Sequence, residues 1–456
     1  VLERVQRAGS YADLLLNATL GHSALNVSDR AFATELVYGT LRWRGRIDYL
    51  LGKVLDRDLE KLEPLVATAL RLGAYQILFS DRVPASAAVD ESVRCVRAAG
   101  IERATGFVNA VLRRLAAEHE SFPLPTLEDD ALGHLTHTLS LPEWIAKRWL
   151  DLFGPEQAAA LATASNAPPP LTVRVNRRRS DRDHLLDELR QRFPDAAACA
   201  LASGGIVLGR RGNPALDPAF LDGRFTVQDE SSQLAVDLLD PQPGERVLDV
   251  CAAPGGKATA IAERVGAEGQ VLAVDRHSRR LDLIRRNARR LGVEIRVSSR
   301  DATRPFSDLA SDGPFDRVLV DAPCSGLGTL RRNPDARWRI GEEDPARLAE
   351  IQGAILRNAA ALVRPGGVLV YSTCTLLPEE NEEVVRSFLS QSQSHSKSQT
   401  QSESQSQSEA LGFSLASPES LPSKMAPALD REGFLRCLPQ HHDADGFFAA
   451  RMERGE

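Results

Sequence analysis

The chain has six cysteines, and no two of them form a C-x-x-C pair. Their wide, irregular spacing makes neither a zinc knuckle nor a disulfide framework, so reduced thiols and no metal are expected. Long apolar runs are also missing. No stretch reaches the roughly 20 residues that cross a bilayer, and the charged start, Val1 to Ser10, lacks the apolar core of a secretory leader. Both absences point to a cytoplasmic protein without membrane contact. Excess positive charge is missing too. A net charge of −6 argues against a generally sticky nucleic-acid binder, because nonspecific affinity comes from neutralising phosphates. Local basic clusters are present nonetheless: Arg42, Arg44 and Arg46; Arg174 with Arg177, Arg178 and Arg179; and Arg331, Arg332, Arg337 and Arg339.

At 456 residues the chain is long enough for two or three domains. From Tyr11 to about Glu120, apolar residues recur at helical spacing, as in Leu62, Leu65, Val66, Ala69, Leu70 and Ile77. That pattern predicts an all-helical domain over 1–129, with helix starts at Ser28-Asp29 and after Pro84. Residues 130–228 mix short strands with helices and are expected to form a small α+β connecting subdomain. A helix is predicted from Leu141 to Phe153, and a strand from Leu171 to Asn176 after Ala167-Pro-Pro-Pro170.

Residues 229–456 alternate strand and helix, with strands predicted at Arg246–Val250, Gln270–Val274, Glu294–Val297, Phe315–Val320 and Gly367–Tyr371. That order implies a C-terminal α/β domain with a parallel, doubly wound, Rossmann-like sheet. Gly433–Leu438 and Gly446–Ala450 are predicted to form an antiparallel edge hairpin. Ser390 to Glu409 is almost entirely Ser and Gln, a composition that cannot bury enough apolar surface to order itself, and is expected to be a disordered insertion.

The first strand of that sheet runs into Asp249-Val250-Cys251-Ala252-Ala253-Pro254-Gly255-Gly256-Lys257, and a helix follows. Small residues and glycines at a strand-to-helix turn let a ligand approach the backbone. The turn is neither G-x-G-x-x-G nor a G-K-[ST] phosphate loop, since Ala258 follows Lys257. Acidic residues follow successive strands. Asp275 ends the second, where it could hold ribose hydroxyls; Asp301 follows the third, within reach of an adenine amino group; Asp321 ends the fourth. Carboxylates facing one crevice suit a cationic nucleoside such as S-adenosylmethionine better than a polyphosphate.

Two cysteines sit at the ends of neighbouring predicted strands, Cys324 in D-A-P-C-S-G and Cys374 in Y-S-T-C-T. A free cysteine usually packs as a small hydrophobe. Two delivered to the ligand-binding edge of one sheet, with Asp321 in the same turn, point instead to chemistry.

D-V-C-A-A-P-G-G-K, D-A-P-C-S-G and S-T-C-T together resemble the RNA (cytosine-5) methyltransferases of the RsmB/Sun type, a class I methyltransferase fold. Amino-methyltransferases of similar fold usually carry an aromatic in a D/N-P-P-Y turn where this chain has Cys324. The helical domain resembles the RNA-binding factor NusB in S-D-R-A-F-A-T-E-L-V-Y-G-T-L-R from Ser28, L-R-L-G-A-Y-Q-I-L-F from Leu70 and F-V-N-A-V-L-R-R from Phe107. R-V-N at Arg174 and V-Q-D-E-S-S at Val227 also match. The resemblance implies methyl transfer from S-adenosylmethionine to carbon 5 of a cytosine in 16S ribosomal RNA, at position 967.

Carbon 5 of cytosine is too poor a nucleophile to take a methyl group unaided, and a thiolate added at carbon 6 activates it. An acid near N3, for which Asp321 is placed, would stabilise the addition. Sequence logic leaves open which thiol attacks; the resemblance assigns attack to Cys374 and release to Cys324. Lys257 reads either as a cation favouring the Cys374 thiolate or as an ordinary first-turn helix residue. The Arg331–Arg339 stretch is expected to touch phosphates beside a flipped base. Two alternatives stay open, a cytosine-5 methyltransferase acting on transfer RNA or another ribosomal site, and a noncatalytic RNA-binding assembly factor.

Overall fold

The computed structural model describes residues 1–8, 11–210, 212–306, 313–394 and 412–456. They fall into two compact units: Val1–Ala167 with Thr329–Glu342, and Pro168–Gly328 with Glu343–Glu456.

The first unit is helical. Its helices include Val27–Arg42, Arg44–Val54, Pro64–Phe79, Ala85–Ala98 and Thr105–Glu118, around a core of Ile47, Leu51, Leu70, Val108 and Leu112. The Asn26 side chain caps the first of these by accepting from the Asp29 N–H, two residues before the predicted Ser28-Asp29 start. The unit extends beyond residue 129, because Glu143–Asn166 is also helical. Gly154 (φ 74°) and Pro155 kink that helix, which is why the sequence pattern ends it near Phe153.

Residues 329–342 belong to this unit, and here the structure corrects an expectation. Arg331 and Arg337 are buried rather than presented to phosphates. The Arg337 guanidinium, 0% exposed, donates to the Asn166 Oδ1 at 2.9 Å and the Ser140 carbonyl at 3.1 Å. Burial pulls its pKa down to about 9. The Trp338 indole N–H donates to the Leu41 carbonyl at 2.6 Å. The cluster reads as basic only because its partners lie far away in sequence.

The second unit holds two sheets. The smaller consists of β1 (Thr172–Val175), β2 (Ala197–Ala198), β3 (Gly205–Val207) and β4 (Phe225–Val227), all antiparallel in the order β2-β3-β1-β4. Arg174 on β1 is likewise buried, bonded to Gln228, Thr259 and Glu263.

The larger sheet contains β5 (Arg246–Val250), β6 (Gln270–Asp275), β7 (Arg296–Ser299), β8 (Phe315–Asp321), β9 (Val363–Thr373), β10 (Phe413–Leu415), β11 (Leu435–Cys437) and β12 (Phe447–Arg454). The order is β10-β12-β9-β8-β5-β6-β7, with β11 also paired to β12. β5 to β9 are parallel. Alternate residues fill the cores on both faces, Leu248, Val250, Val318 and Val320 on one and Val247, Leu319 and Val370 on the other. That explains their near-continuous apolar runs. The predicted hairpin forms, but β12 is not an edge strand, since it runs antiparallel between β9 and β10.

The Ser/Gln stretch begins inside a helix, Glu382–Ser394, so its first residues are ordered, contrary to expectation. The remainder of Ser390–Glu409 lies outside the described residues. Among the described residues, no helix is long and apolar enough to cross a membrane, and no group of three or more His, Cys, Asp or Glu could hold a metal ion.

Candidate active site

Parallel strands end together, and five of these ends make the site. β5 leads into Cys251 and Ala252 to Gly255, after which the helix Gly256–Val265 starts. Cys251 adopts φ 64° and Gly255 φ 102°. A side chain at Gly255 would come within 3.0 Å of the Ile284 backbone, so only glycine lets this turn close. Burial pushes the Cys251 thiol far up, which removes it from thiolate chemistry.

Asp275 ends β6, is 4% exposed, and fixes the turn. Its Oδ2 accepts from the Ala253 N–H at 3.2 Å and its Oδ1 from the His277 N–H at 2.9 Å. Asp301 lies just after β7, where its Oδ1 accepts from the Thr303 N–H and hydroxyl. Those two bonds hold its carboxyl below the usual range. At least one of its oxygens is therefore committed to its own turn. Asp249, within β5, is fully buried. Among the described residues neither of its carboxylate oxygens has a hydrogen-bond partner. Burial, then the nearby Asp321, pushes its pKa well up.

Asp321 ends β8. Its Oδ2 accepts from the Lys257 ammonium at 2.7 Å and its Oδ1 from the Ser372 hydroxyl at 3.0 Å. Lys257 is therefore not an ordinary helix residue. Burial acts to lower its pKa, but Asp321, Asp249 and Cys374 together outweigh it and the ammonium is held above its ordinary value. It also senses the charge of Cys374.

Cys324 follows β8 and Cys374 follows β9, neighbours through the register Asp321↔Ser372. Their sulfur atoms are 3.3 Å apart. The Cys374 N–H also donates to the Cys324 Sγ at 3.3 Å. Both thiols are half-buried, whereas Cys199 and Cys437 are buried. The hydrogen bond with Cys374, and then burial, push the Cys324 thiol well above its ordinary value.

One residue that sequence reasoning missed holds the two turns together. Glu380, 0% exposed, accepts from the Ser325 N–H at 2.8 Å, the Ser325 hydroxyl, and the Gln352 side-chain amide at 3.0 Å. The Ser325 hydroxyl also meets the Thr375 hydroxyl at 2.8 Å. Ser325 and Thr375 each directly follow a site cysteine. The signal was a Glu six residues beyond Cys374, indistinguishable from a surface charge without the fold.

Comparison with known proteins gives the family. Residues 236–453 match the family described as 16S rRNA methyltransferase RsmB/F, residues 1–117 the NusB family, and residues 141–213 the ferredoxin-like domain of RsmF/B-like methyltransferases. The probable ribosomal RNA small subunit methyltransferase B of Bacillus subtilis is 37% identical over 99% of this chain and 97% of that protein. The chain belongs to the RsmB/F family of 16S rRNA methyltransferases. The corresponding Pseudomonas syringae methyltransferase B is 39% identical, over 81% of this chain and 80% of that one. Among solved structures, that of PH0851 matches with TM-score 0.78 and 26% identity, covering 99% of this chain and 97% of that one. A methyltransferase homologue from Pyrococcus horikoshii matches with TM-score 0.57 and 28% identity, covering 72% and 99%. As a member of this family the chain is a methyltransferase carrying a helical NusB domain and a ferredoxin-like subdomain ahead of the methyltransferase domain.

Proposed function

We propose that this protein methylates carbon 5 of one cytosine in 16S ribosomal RNA, position 967 by resemblance, through a covalent cysteine adduct. The 3.3 Å separation of the Cys324 and Cys374 sulfur atoms carries this reading. One pyrimidine ring can meet both thiols at once, and no structural role calls for two half-buried thiols at the ligand edge.

The residues at the ends of β5, β6 and β8 fit S-adenosylmethionine, a cation with a ribose. Asp249 supplies buried acceptor oxygens without hydrogen-bond partners among the described residues. The Cys251–Lys257 turn provides close backbone approach, and Asp275 and Asp301 provide acceptors for the nucleoside. When bound, that co-substrate supplies the electrophilic methyl group.

The Cys374 thiolate adds to carbon 6, forming the S–C bond and making carbon 5 an enamine-like nucleophile. Asp321, bridging a proton from Lys257, delivers it to N3 as charge develops there. Once carbon 5 carries the methyl group, Cys324 gives up its own proton to solvent and, as the thiolate, takes the carbon 5 proton to end as the thiol. The ring double bond re-forms, the S–C bond breaks, and N3 returns its proton.

The raised pKa of Cys324 supports this division of labour. Its largest cause is the contact with Cys374, and that contact changes when Cys374 bonds to carbon. Losing that contact makes the Cys324 proton easier to remove, so the thiolate that serves as base forms at the stage that needs it.

Bisulfite mapping of 16S rRNA from cells with and without the gene tests the proposal. The expected result is one protected cytosine that becomes convertible when the gene is lost. An unchanged ribosomal pattern overturns it, and a change in transfer RNA would redirect the substrate assignment.

A further inference from the structure

The helix Ser278–Leu291, which follows β6, carries six arginines and one carboxylate in 14 residues. Leu281, Ile284, Ala288 and Leu291 bury one face. Arg279, Arg285, Arg286 and Arg289 are exposed. At 100° per residue, 279, 286 and 289 fall on one stripe opposite the buried face.

Elsewhere, several exposed helical arginines find carboxylates one turn away, Arg7 with Glu3, Arg94 with Glu91, Arg114 with Glu118 and Arg190 with Asp187. On this helix only Arg285 does so, through Asp282 at 2.7 Å. Among the described residues, Arg279, Arg286 and Arg289 have no such ion pair. Arg289 and Arg290 suit the helix C-terminus, but other cations do not suit the helix. Arg285 and Arg289 repel across one turn, as do Arg286 and Arg289, and Arg279 sits in a first turn without an acidic residue, where the helix dipole disfavours positive charge. A merely solvated face has no need of six arginines against one carboxylate in a chain of net charge −6.

We propose that this stripe binds the phosphate backbone of the RNA substrate, an inference that rests on the methyltransferase reading above. Two features place such a strand beside the chemistry. The Arg280 guanidinium donates to the Ala253 carbonyl at 2.9 Å, and the Asn287 amide to the Pro254 carbonyl at 3.1 Å, so the helix is tied to the cofactor turn. Exposed Arg179, bonded to the Asp222 carbonyl, lies against Gly292 at the helix end and extends the positive surface. The stripe takes over the role that burial denies to Arg331 and Arg337.

The test is the variant R279Q/R286Q/R289Q, with R279K/R286K/R289K as the charge-preserving control, binding a 16S rRNA transcript and an unrelated single-stranded RNA. Three lost phosphate contacts should weaken binding of both RNAs at least tenfold at low salt. The slope of log K against log salt should become shallower by about 2–3. The lysine variant should keep most of the affinity, and the melting temperature of the glutamine variant should not fall. Unchanged affinity and salt slope in the folded glutamine variant would overturn the proposal. Wild-type protein that binds RNA through the stripe yet leaves 16S rRNA unmethylated would sink the proposed function and leave this surface standing.

Discussion

The backbone N–H of Cys374 donates to the sulfur of Cys324 at 3.3 Å, the same distance that separates the two sulfur atoms. One residue thus constrains the other through both backbone and side chain, and the two thiols are chemically unequal. The contact with Cys374, and then burial, make Cys324 hold its proton tightly. If Cys324 is the base of the release step, its useful form is the thiolate, whose fraction grows with pH. Adduct decay should therefore quicken as pH rises through neutrality and above. Rapid-quench measurement of preformed adduct across pH checks this, and a flat profile would contradict it.

Asp275→Ala should weaken S-adenosylmethionine binding by about 1.5–3 kcal/mol, the value of a hydrogen bond to a charged group. Asp275→Asn keeps one acceptor oxygen for the turn and should lose less. Isothermal calorimetry on both variants reads the difference, and equal affinity in wild type and alanine variant would remove Asp275 from the cofactor site.

Glu380→Ala should leave the Ser325 N–H and the Gln352 amide without their acceptor, costing about 1–3 kcal/mol for each donor stranded in the interior. Burial raises the Glu380 pKa, so the folded state binds its proton more tightly than the unfolded chain. The stabilising linkage is full below the unfolded value of 4.5 and is lost as pH rises through the folded one. Glu380→Gln removes that dependence. Urea denaturation of wild type and Gln variant should give a stability difference that shifts against wild type as pH rises through the acid range and then levels. A pH-independent difference would show that Glu380 does not titrate as argued.

The site was legible in sequence to the extent that it is local. Cys324, Cys374, Asp275 and Asp321 stand at strand ends, and parallel strands bring their carboxyl ends to one edge, so apolar runs alone locate those residues. Glu380, Ser325 and Gln352 were illegible because hydrogen bonds linking residues 28 to 55 positions apart leave no periodic trace. Arg331 and Arg337 misled for the same reason, since their burial depends on residues up to 295 positions away. The kink at Gly154 and the insertion of β12 between β9 and β10 are likewise set by packing rather than by local propensity.

Lys257→Met should leave RNA binding intact and slow methyl transfer about 10²–10⁴-fold, the usual share of a positioned proton donor. The Lys257 ammonium donates a hydrogen bond to Asp321 Oδ2 at 2.7 Å, and in the proposed mechanism it is the source of the proton that Asp321 delivers. Lys257→Arg keeps the charge and should recover part of the rate. Single-turnover kinetics at saturating RNA and co-substrate separates the proton role from binding, and a Met variant as fast as wild type would leave Asp321 without its proposed proton source.

The two cysteine variants should differ in kind. Cys374→Ala removes the group that adds to carbon 6, so carbon 5 is never activated, and neither methylated RNA nor a covalent complex should form. Cys324→Ala keeps that nucleophile and removes the base, so addition and methylation proceed while release stalls. The protein should then accumulate in a denaturant-resistant complex with its RNA. The 3.3 Å contact sharpens this expectation, because losing the Cys324 sulfur also strips the Cys374 N–H of its acceptor without touching the Lys257–Asp321 pair. Denaturing gel electrophoresis with labelled RNA reads the outcome directly. Trapping by the Cys374 variant instead would reverse the two roles, and trapping by neither would remove Cys324 from the release step.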